Sequence, residues 1–243
     1  MRLATLAIAV LAILLSAAAF AQSENLRVAV ISGGHDFEKE EFLTLFRSIA
    51  GIQFRLIEQT EDDSAFLENI DGFKYDVIVL YNMGQNISDK RKENFFKLLE
   101  KGVGLVVLHH AIADFNEWPE YWNIIGAHYY LKEVKDPGIE HPRSQYQHDV
   151  EFRVKIEDKD HPVTKGIQDF DIKDETYNLY DVAPDNHILL TTDTPTSQKQ
   201  IGWTKTYKNS NVCFIQLGHG ADAYFNPAYR RLVSQAIRWA AKK

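Results

Sequence analysis

The amino-acid sequence predicts an α/β fold with a mostly parallel central sheet to which β-hairpin strands are added. Four continuous apolar runs are separated by segments whose apolar residues have helical spacing. This pattern is expected for parallel strands that helices cover on both faces. Further along the chain, alternating apolar and charged residues and a strand pair around a turn indicate antiparallel strands. With 243 residues, 45% of them hydrophobic, the chain is long enough for one substantial core.

The first half of the chain contains the four apolar runs and the helices between them. The runs predict strands at residues 26–32, 54–57, 75–81 and 103–108. Phe42, Leu45 and Phe46 have the spacing of one helix face and predict a helix over residues 39–49. Ser88 is a favourable N-cap, so a second helix is predicted from there to Glu100.

The second half of the chain predicts a different architecture. Residues 129–147 contain two prolines and scattered charges and predict a long loop or insertion. Residues 150–156 alternate apolar and charged side chains, which predicts a half-exposed strand. Further strands are predicted at residues 187–192, 200–207 and 212–217, with a hairpin turn at 208–211, before a terminal helix at 229–241. Because no repeat or linker is visible, residues 22–243 are predicted to form a single domain.

The N-terminal segment has the features of a secretory signal peptide. Arg2 precedes an apolar stretch from Leu3 to Leu15, and Ala19-Phe20-Ala21 is a small-x-small cleavage site. We therefore expect residues 1–21 to be removed and the protein to be periplasmic or secreted, without membrane insertion after cleavage. The apolar stretch is short for a membrane span, although an uncleaved anchor remains the alternative.

The composition excludes several classes of protein. Lys and Arg number 27 against 34 Asp and Glu, which gives a net charge of −7. Nucleic acid is therefore not an expected partner, because its binders normally carry a basic surplus. Cys213 is the single cysteine of the chain, so neither an internal disulfide nor a thiolate metal cluster can form.

Histidines follow three of the predicted strands at the points where those strands end. His35 comes after Gly33-Gly34 and precedes Asp36, His109-His110 follows the fourth strand, and His219 follows the last strand. Ligands of open parallel sheets bind beyond the carboxyl ends of the strands, and histidine serves as a metal ligand or an acid–base group near neutral pH. The sequence thus predicts a histidine site at this edge, with solvated loop histidines as the alternative.

Two further segments contain candidate site residues. Glu175 lies in the run Asp174-Glu175-Thr176-Tyr177, where a carboxylate can accept a proton, bind a sugar hydroxyl or ligate a metal; a surface acidic turn is the alternative. Trp118 precedes further aromatic residues after the double histidine. Its ring is a candidate platform for stacking on a sugar, and packing of a helix against the sheet is the alternative.

Several motifs along the chain resemble those of one family. They are GGHDF, GLVVLHHA, IGAHY, DKDHPVTKGI, DETYNLY, IGWTKTY and the closing segment that begins VCFIQLGHGADAYF. In this order they resemble the ThuA-like (trehalose-utilisation) family of the class I glutamine amidotransferase-like superfamily. The resemblance implies a flavodoxin-like three-layer sandwich. His109-His110 occupies the turn where amidotransferase relatives carry a cysteine nucleophile, so glutamine amidotransferase chemistry is not expected.

The resemblance also implies a function in carbohydrate metabolism. It implies a disaccharide, a glycoside or a 3-keto-glycoside as the small-molecule substrate, and a divalent metal such as zinc as cofactor. Our first hypothesis is an enzyme that uses His/Glu acid–base chemistry, as a lyase, isomerase or hydrolase of sugar derivatives. The alternatives are a non-catalytic carbohydrate-binding protein and a metal-dependent hydrolase of another small molecule. The oligomeric state is left open, a homo-oligomer included.

These considerations assign a role to each candidate residue. The expected catalytic residues are His109, His110, Glu175 and His219. The expected substrate-binding residues are His35, Asp36, His128, Tyr177 and Trp118. The expected metal ligands are His35, His109 and His219. The segment 129–147 and the residue after it contain His141 and His148, and the sequence leaves open whether either contributes to the site.

Overall fold

The computed structural model describes residues 25–59, 65–84, 86–136 and 139–242. The predicted signal peptide, residues 1–21, lies outside the described residues, and its cleavage stays a prediction. Within the described ranges, no helix is both long enough and apolar enough to cross a membrane.

The secondary structure alternates between strands and helices in the first half and is dominated by strands in the second. The strands are β1 (Leu26–Gly33), β2 (Ile52–Glu58), β3 (Val77–Asn82), β4 (Gly104–Leu108), β5 (Ala127–His128), β6 (Val134–Asp136), β7 (Ile139–His141), β8 (Gln145–Ile156), β9 (Phe170–Asn178), β10 (Asp181–Val182), β11 (His187–Thr191), β12 (Gln200–Tyr207) and β13 (Ser210–Ile215). The helices are α1 (Lys39–Arg47), α2 (Ala65–Glu68), α3 (Asp89–Glu100), α4 (Pro119–Ile125), α5 (Ala221–Tyr224) and α6 (Pro227–Ala240), and a 3₁₀ turn spans His109–Ala113.

Among the described residues, nine strands form one mixed sheet in the order β2-β1-β3-β4-β13-β12-β11-β8-β9. The neighbours from β2 to β13 are parallel, and the neighbours from β13 to β9 are antiparallel. The predicted α/β fold, with its parallel sheet and added hairpin strands, is confirmed. The turn predicted at 208–211 joins β12 to β13, with Tyr207 opposite Ser210.

Helices cover both faces of the parallel half, which explains why its strands are continuously apolar. Along β3, Val77 and Val79 pack in one hydrophobic cluster together with residues of α1 and α6. Ile78 and Leu80 alternate with them and pack in a second cluster with residues of α3 and α4. The protein is therefore a three-layer sandwich, as predicted.

The segment predicted as a long loop, residues 129–147, is partly ordered into strands. Strands β6 and β7 form a small antiparallel hairpin, and β8 already begins at Gln145, which pairs with Asn178 of β9. The early part of β8 carries polar, exposed side chains. Its strand conformation is stabilised by backbone pairing with β9, and an apolar pattern in the sequence could not reveal that pairing.

Candidate functional site

Three side chains from three separate elements meet at the carboxyl edge of the parallel strands. His109 Nε2 lies 3.0 Å from Glu175 Oε2 and 3.1 Å from His219 Nδ1. His219 Nδ1 lies 3.3 Å from the same Glu175 oxygen. His109 follows β4, Glu175 belongs to β9, and His219 follows β13. We call these three residues the His/Glu triangle.

The backbone and one hydrogen bond fix the orientation of His109. This residue has φ 51°, a left-handed conformation that is uncommon for a residue other than glycine. Its side chain is fully buried, and its Nδ1 lies 2.7 Å from the carbonyl oxygen of Gln216. Because a carbonyl only accepts, Nδ1 must carry a proton and donate. In neutral His109 the lone pair is therefore on Nε2, which faces Glu175, His219 and the hydroxyl of Tyr177 at 2.8 Å.

Asp174 holds the loop that carries His219. Its carboxylate accepts hydrogen bonds from the backbone N–H groups of Gly218 at 2.7 Å, His219 at 2.9 Å and Glu175 at 2.9 Å. Burial raises the pKa of Asp174, whereas the charge of His109 and these N–H donors oppose the shift. Gly218 has φ 118°, and a Cβ there would lie 2.2 Å from the hydroxyl oxygen of Tyr229. Glycine is thus required at this turn.

Two buried tyrosines contact the same loop from the other side. The hydroxyl of Tyr81 donates to the carbonyl oxygen of Gly218 at 2.8 Å. The hydroxyl of Tyr224 lies 2.6 Å from that of Tyr81 and 3.0 Å from the carbonyl oxygen of His219. Both sides of the Gly218-His219 backbone are therefore hydrogen-bonded, which fixes the position of the His219 ring.

A bulge in β8 brings in a further histidine. The pairing register between β8 and β9 shifts between Gln147 and Val150, and such bulges redirect side chains. His148 lies in this bulge, and its Nδ1 is 3.1 Å from Glu175 Oε1. Its ring centroid is 4.9 Å from that of His219. The sequence left the role of His148 open, because the bulge interrupts the alternation that would have revealed the strand.

His35 and His110 lie beside the His/Glu triangle and outside it. Their rings are stacked with centroids 4.6 Å apart, and the centroid of His35 is 6.1 Å from that of His219. His110 Nε2 donates to the carbonyl oxygen of Tyr81 at 3.2 Å, and burial lowers the pKa of His110 well below its ordinary value. The sequence predicted His35, His109 and His219 as metal ligands. The structure instead brings Glu175, and not His35, next to His109 and His219.

Two cavities open onto the triangle. The larger, of about 610 Å³, is lined by Asp36, Asp174, Glu175, His148 and His219 together with further charged residues. The smaller, of about 270 Å³, is lined by Tyr177, His35, His110, Glu175 and His148 together with aromatic and aliphatic residues. The predicted substrate-binding residues His35, Asp36 and Tyr177 therefore line cavities beside the triangle.

Trp118 does not line either of these cavities, which corrects its expected role in substrate binding. Its side chain is buried, and its ring packs against Phe96 of α3 with centroids 5.4 Å apart. Trp118 immediately precedes α4, so the alternative of helix packing is the correct one. The exposed aromatic ring beside the site is instead Tyr146, which lines the smaller cavity and is 55% exposed.

His128 and His141 also lie outside the two cavities. The ring of His128 stacks on Trp122 with centroids 3.3 Å apart, and burial lowers its pKa to about 4. His141 stacks on Tyr130 and lies 3.3 Å from Asp181. The structure therefore does not place His128 beside the triangle with the other predicted substrate-binding residues, because its ring lies in an aromatic stack with Trp122 and Tyr130.

Opposite charges are concentrated at the centre of the triangle. Burial raises the pKa of Glu175, but hydrogen bonding with His109 and His219 outweighs that effect, and the net pKa lies well below its usual range. The hydrogen bond with Glu175 raises the pKa of His219, whereas burial partly opposes it. His109 Nε2, His219 Nδ1 and Glu175 Oε2 lie 3.0 to 3.3 Å apart, and if all three carried only lone pairs they would repel one another. A proton or a metal cation must therefore lie among them.

The sequence comparison identifies the family. A family model described as trehalose utilisation, ThuA, matches residues 27–240. The chain belongs to the ThuA family. No curated protein matches the chain.

Solved structures of ThuA-like proteins have the same fold. A ThuA-like protein from Parabacteroides merdae ATCC 43184 has a TM-score of 0.74 at 21% identity, over 89% of this chain and 90% of that one. A ThuA-like protein from Bacteroides uniformis ATCC 8492 has a TM-score of 0.67 at 21% identity, over 92% of this chain and 94% of that one. A β-galactosidase from Bacillus circulans sp. alkalophilus contains a similar fold within 31% of its chain, with a TM-score of 0.56 at 12% identity over 88% of this chain.

The two histidine nitrogens and one carboxylate oxygen of the His/Glu triangle fit a divalent metal such as zinc. Zinc binds histidine nitrogen and carboxylate oxygen at about 2.0–2.2 Å, which in tetrahedral geometry places neighbouring ligand atoms about 3.3–3.6 Å apart. The three ligand atoms are 3.0 to 3.3 Å apart, so a shift of a few tenths of an ångström would give them this spacing. The hydrogen bond from His109 Nδ1 to Gln216 supplies the outer contact that usually orients a metal-binding imidazole. His219 is partly exposed, so the triangle is open toward the larger cavity.

Proposed function

We propose that this ThuA-family protein is a carbohydrate-active enzyme that holds a divalent metal, zinc or a similar ion, on His109, Glu175 and His219. The observation that carries the proposal is the convergence of two imidazole nitrogens and one carboxylate oxygen at the mouth of a cavity of about 610 Å³. Catalytic zinc sites commonly use three protein ligands and leave one position open. The trehalose-utilisation description of the family supports a sugar as the substrate.

The substrate class that suits this chemistry is a disaccharide or glycoside, most directly its 3-keto derivative. A keto group acidifies the hydrogen on the adjacent ring carbon, and removal of that hydrogen requires a base. When bound, the metal supplies Lewis-acid polarisation of a substrate oxygen. Loss of the proton prepares the sugar for isomerisation, epimerisation or β-elimination of the glycosidic group.

We assign the base to His148 in place of His109 and His110. His109 is fully buried with both ring nitrogens in contact with protein groups, and His110 is also buried, so neither presents a nitrogen to a substrate. His148 is half-exposed, lines both cavities and is held by Glu175 Oε1 at 3.1 Å. Its ring is thus positioned by one nitrogen while the other side of the ring borders the cavity.

The test is exchange of a substrate hydrogen with solvent deuterium. Wild-type protein incubated with 3-keto-trehalose in D2O should introduce deuterium next to the keto group, as measured by NMR. The His148→Asn variant should lose most of this exchange, whereas His187→Asn, which replaces a similarly exposed histidine elsewhere on the surface, should not. Saccharide binding by a wild type that shows no exchange, forms no product and holds no metal would refute the enzyme and favour a non-catalytic carbohydrate-binding protein.

We also propose that the protein is exported to the periplasm or the cell exterior after cleavage behind Ala21. The charged start, the apolar stretch and the small-x-small site support this proposal. N-terminal sequencing of the mature protein should give Gln22 as its first residue. Recovery of a chain that still begins at Met1 from the cell interior would contradict it.

A further inference from the structure

The two cavities beside Glu175 differ sharply in their chemistry. The larger carries the carboxylates of Asp36, Glu38, Asp149 and Asp222 in addition to Glu175. The smaller is walled by rings and aliphatic side chains, among them Tyr129, Leu131 and Met83, with Arg143 beside them. His148 and Glu175 line both cavities. These two residues therefore form a wall that the two cavities share.

We propose that the cavities are two subsites for the two ring units of a glycoside, with the bond between the rings lying over His148 and Glu175 and an uncharged ring in the larger cavity. This inference rests on the proposed function and names the part of the substrate that each cavity takes. The smaller cavity, at about 270 Å³, is just below the range of about 300–1,000 Å³ for ligand pockets. It therefore suits one ring.

Tyr146 is the residue that defines the smaller subsite. It lies on β8, two residues before His148, and its ring centroid is 5.3 Å from that of His148. The side chain is 55% exposed and lines the smaller cavity. An exposed aromatic face at a fixed distance from the central histidine is suited to stacking on the apolar face of a sugar ring.

The larger subsite selects against negative charge. Lys173 lines the larger cavity. The ammonium group of Lys173 already contacts Asp149 Oδ1 at 2.8 Å and Asp222 Oδ2 at 3.4 Å. A phosphate or carboxylate on the ring unit in this cavity would therefore face carboxylates whose summed charge exceeds that of the already paired Lys173 and of the proposed metal ion. Hydroxyl groups, in contrast, donate hydrogen bonds to carboxylate oxygens. The ring unit in this subsite is therefore an uncharged polyol.

The first experiment measures the affinity of trehalose and 3-keto-trehalose by calorimetry for the wild type, Tyr146→Ala and Tyr146→Phe. Tyr146→Ala should weaken binding of the tighter probe at least five-fold, and Tyr146→Phe should stay within two-fold because the ring remains. Phe225→Ala is the matched control, since Phe225 is 51% exposed and lies outside both cavities. It should bind as the wild type does.

The second experiment tests the charge of the larger subsite. Trehalose phosphorylated on both rings should bind the wild type at least ten-fold more weakly than trehalose, because one phosphate must then enter the larger cavity. Asp222→Asn should reduce that difference because it removes one carboxylate and one partner of Lys173.

The outcomes separate this inference from the proposed function. If the wild type binds a saccharide probe and Tyr146→Ala binds it equally well, the stacking subsite is overturned and the proposed function stands. Equal losses in Tyr146→Ala and Tyr146→Phe would overturn ring stacking as well. Equal affinity for trehalose and its doubly phosphorylated form would overturn the selection against charge. If the wild type binds neither trehalose nor 3-keto-trehalose, the proposed function and this inference fall together.

Discussion

Replacement of Asp174 by asparagine is the perturbation that most directly tests how the site is held together. The carboxylate of Asp174 is 5% exposed and accepts three backbone N–H groups, from Glu175, Gly218 and His219. Asparagine is nearly the same size, but only its carbonyl oxygen accepts hydrogen bonds. At least one of the three N–H groups must therefore lose its acceptor and face an amide N–H instead.

The magnitude follows from the kind of hydrogen bond that is lost. A hydrogen bond to a charged group contributes about 1.5–3 kcal/mol, and a buried donor without a partner costs a further amount of similar size. Relief of the buried charge offsets part of the loss, because burial already raises the pKa of Asp174. We expect the free energy of unfolding to fall by about 1–3 kcal/mol. Because the His219 ring loses its fixed position, we also expect metal affinity to fall about 10–100-fold, as for other outer contacts of metal ligands.

The assay for Asp174→Asn pairs urea denaturation with zinc titration of metal-free protein. Asp193→Asn is the control, because Asp193 is exposed and its partner is Lys155; its unfolding free energy should change by less than about 0.5 kcal/mol. A variant Asp174→Asn with wild-type stability and wild-type zinc affinity would refute the role assigned to this carboxylate.

Three further predictions concern pH, a steric contact at a glycine and thiol reactivity. Burial lowers the pKa of His128 to about 4, so between pH 6.5 and 4 the unfolded chain binds more protons than the native one, and stability should fall as pH falls. In urea denaturation across this window, His128→Gln should remove up to about 2 kcal/mol of that fall, allowing for partial exposure; an unchanged slope would contradict the assignment. Gly218→Ala should lower the thermal midpoint far more than Gly72→Ala, because a Cβ at Gly218 meets Tyr229 whereas nothing lies within 4 Å at Gly72; equal shifts would be inconsistent with the contact. The Cys213 thiol is buried and its pKa is raised by burial, so a disulfide reagent should modify it slowly in the native protein and fully in denaturant; fast native labelling would show that the strand is accessible.

Much of the fold is predictable from sequence because helices bury both faces of the parallel strands. Strands β1, β3 and β4 are continuous apolar runs. Such runs can be recognised as strands from the local sequence, without knowing which strands they pair with. Their order in the sheet also places the residues after β1, β4 and β13 at one edge. Histidines 35, 109, 110 and 219 are close together for this reason.

The parts that the sequence did not predict depend on long-range pairing. Glu175 was expected as a catalytic residue but not as a metal ligand, because its approach to His109 depends on the antiparallel extension that joins β13 to β9. His148 reaches Glu175 because of a bulge, and nothing in the local pattern marks a bulge at that point. Trp118 illustrates the opposite error, since an aromatic residue before a helix has the same sequence signature whether it packs inside or stacks on a ligand.

The most direct test of the account is the metal content of the wild type against Glu175→Gln and His109→Asn. Glutamine keeps the shape of Glu175 without its charge, and asparagine tolerates the left-handed backbone of His109. After incubation with zinc and removal of the excess, elemental analysis should find one zinc ion for each wild-type chain and less in either variant. Zinc titration of the metal-free proteins should show that either variant binds zinc more than ten-fold more weakly than the wild type. A wild type that retains no zinc, or variants that retain it as tightly as the wild type, would contradict the account.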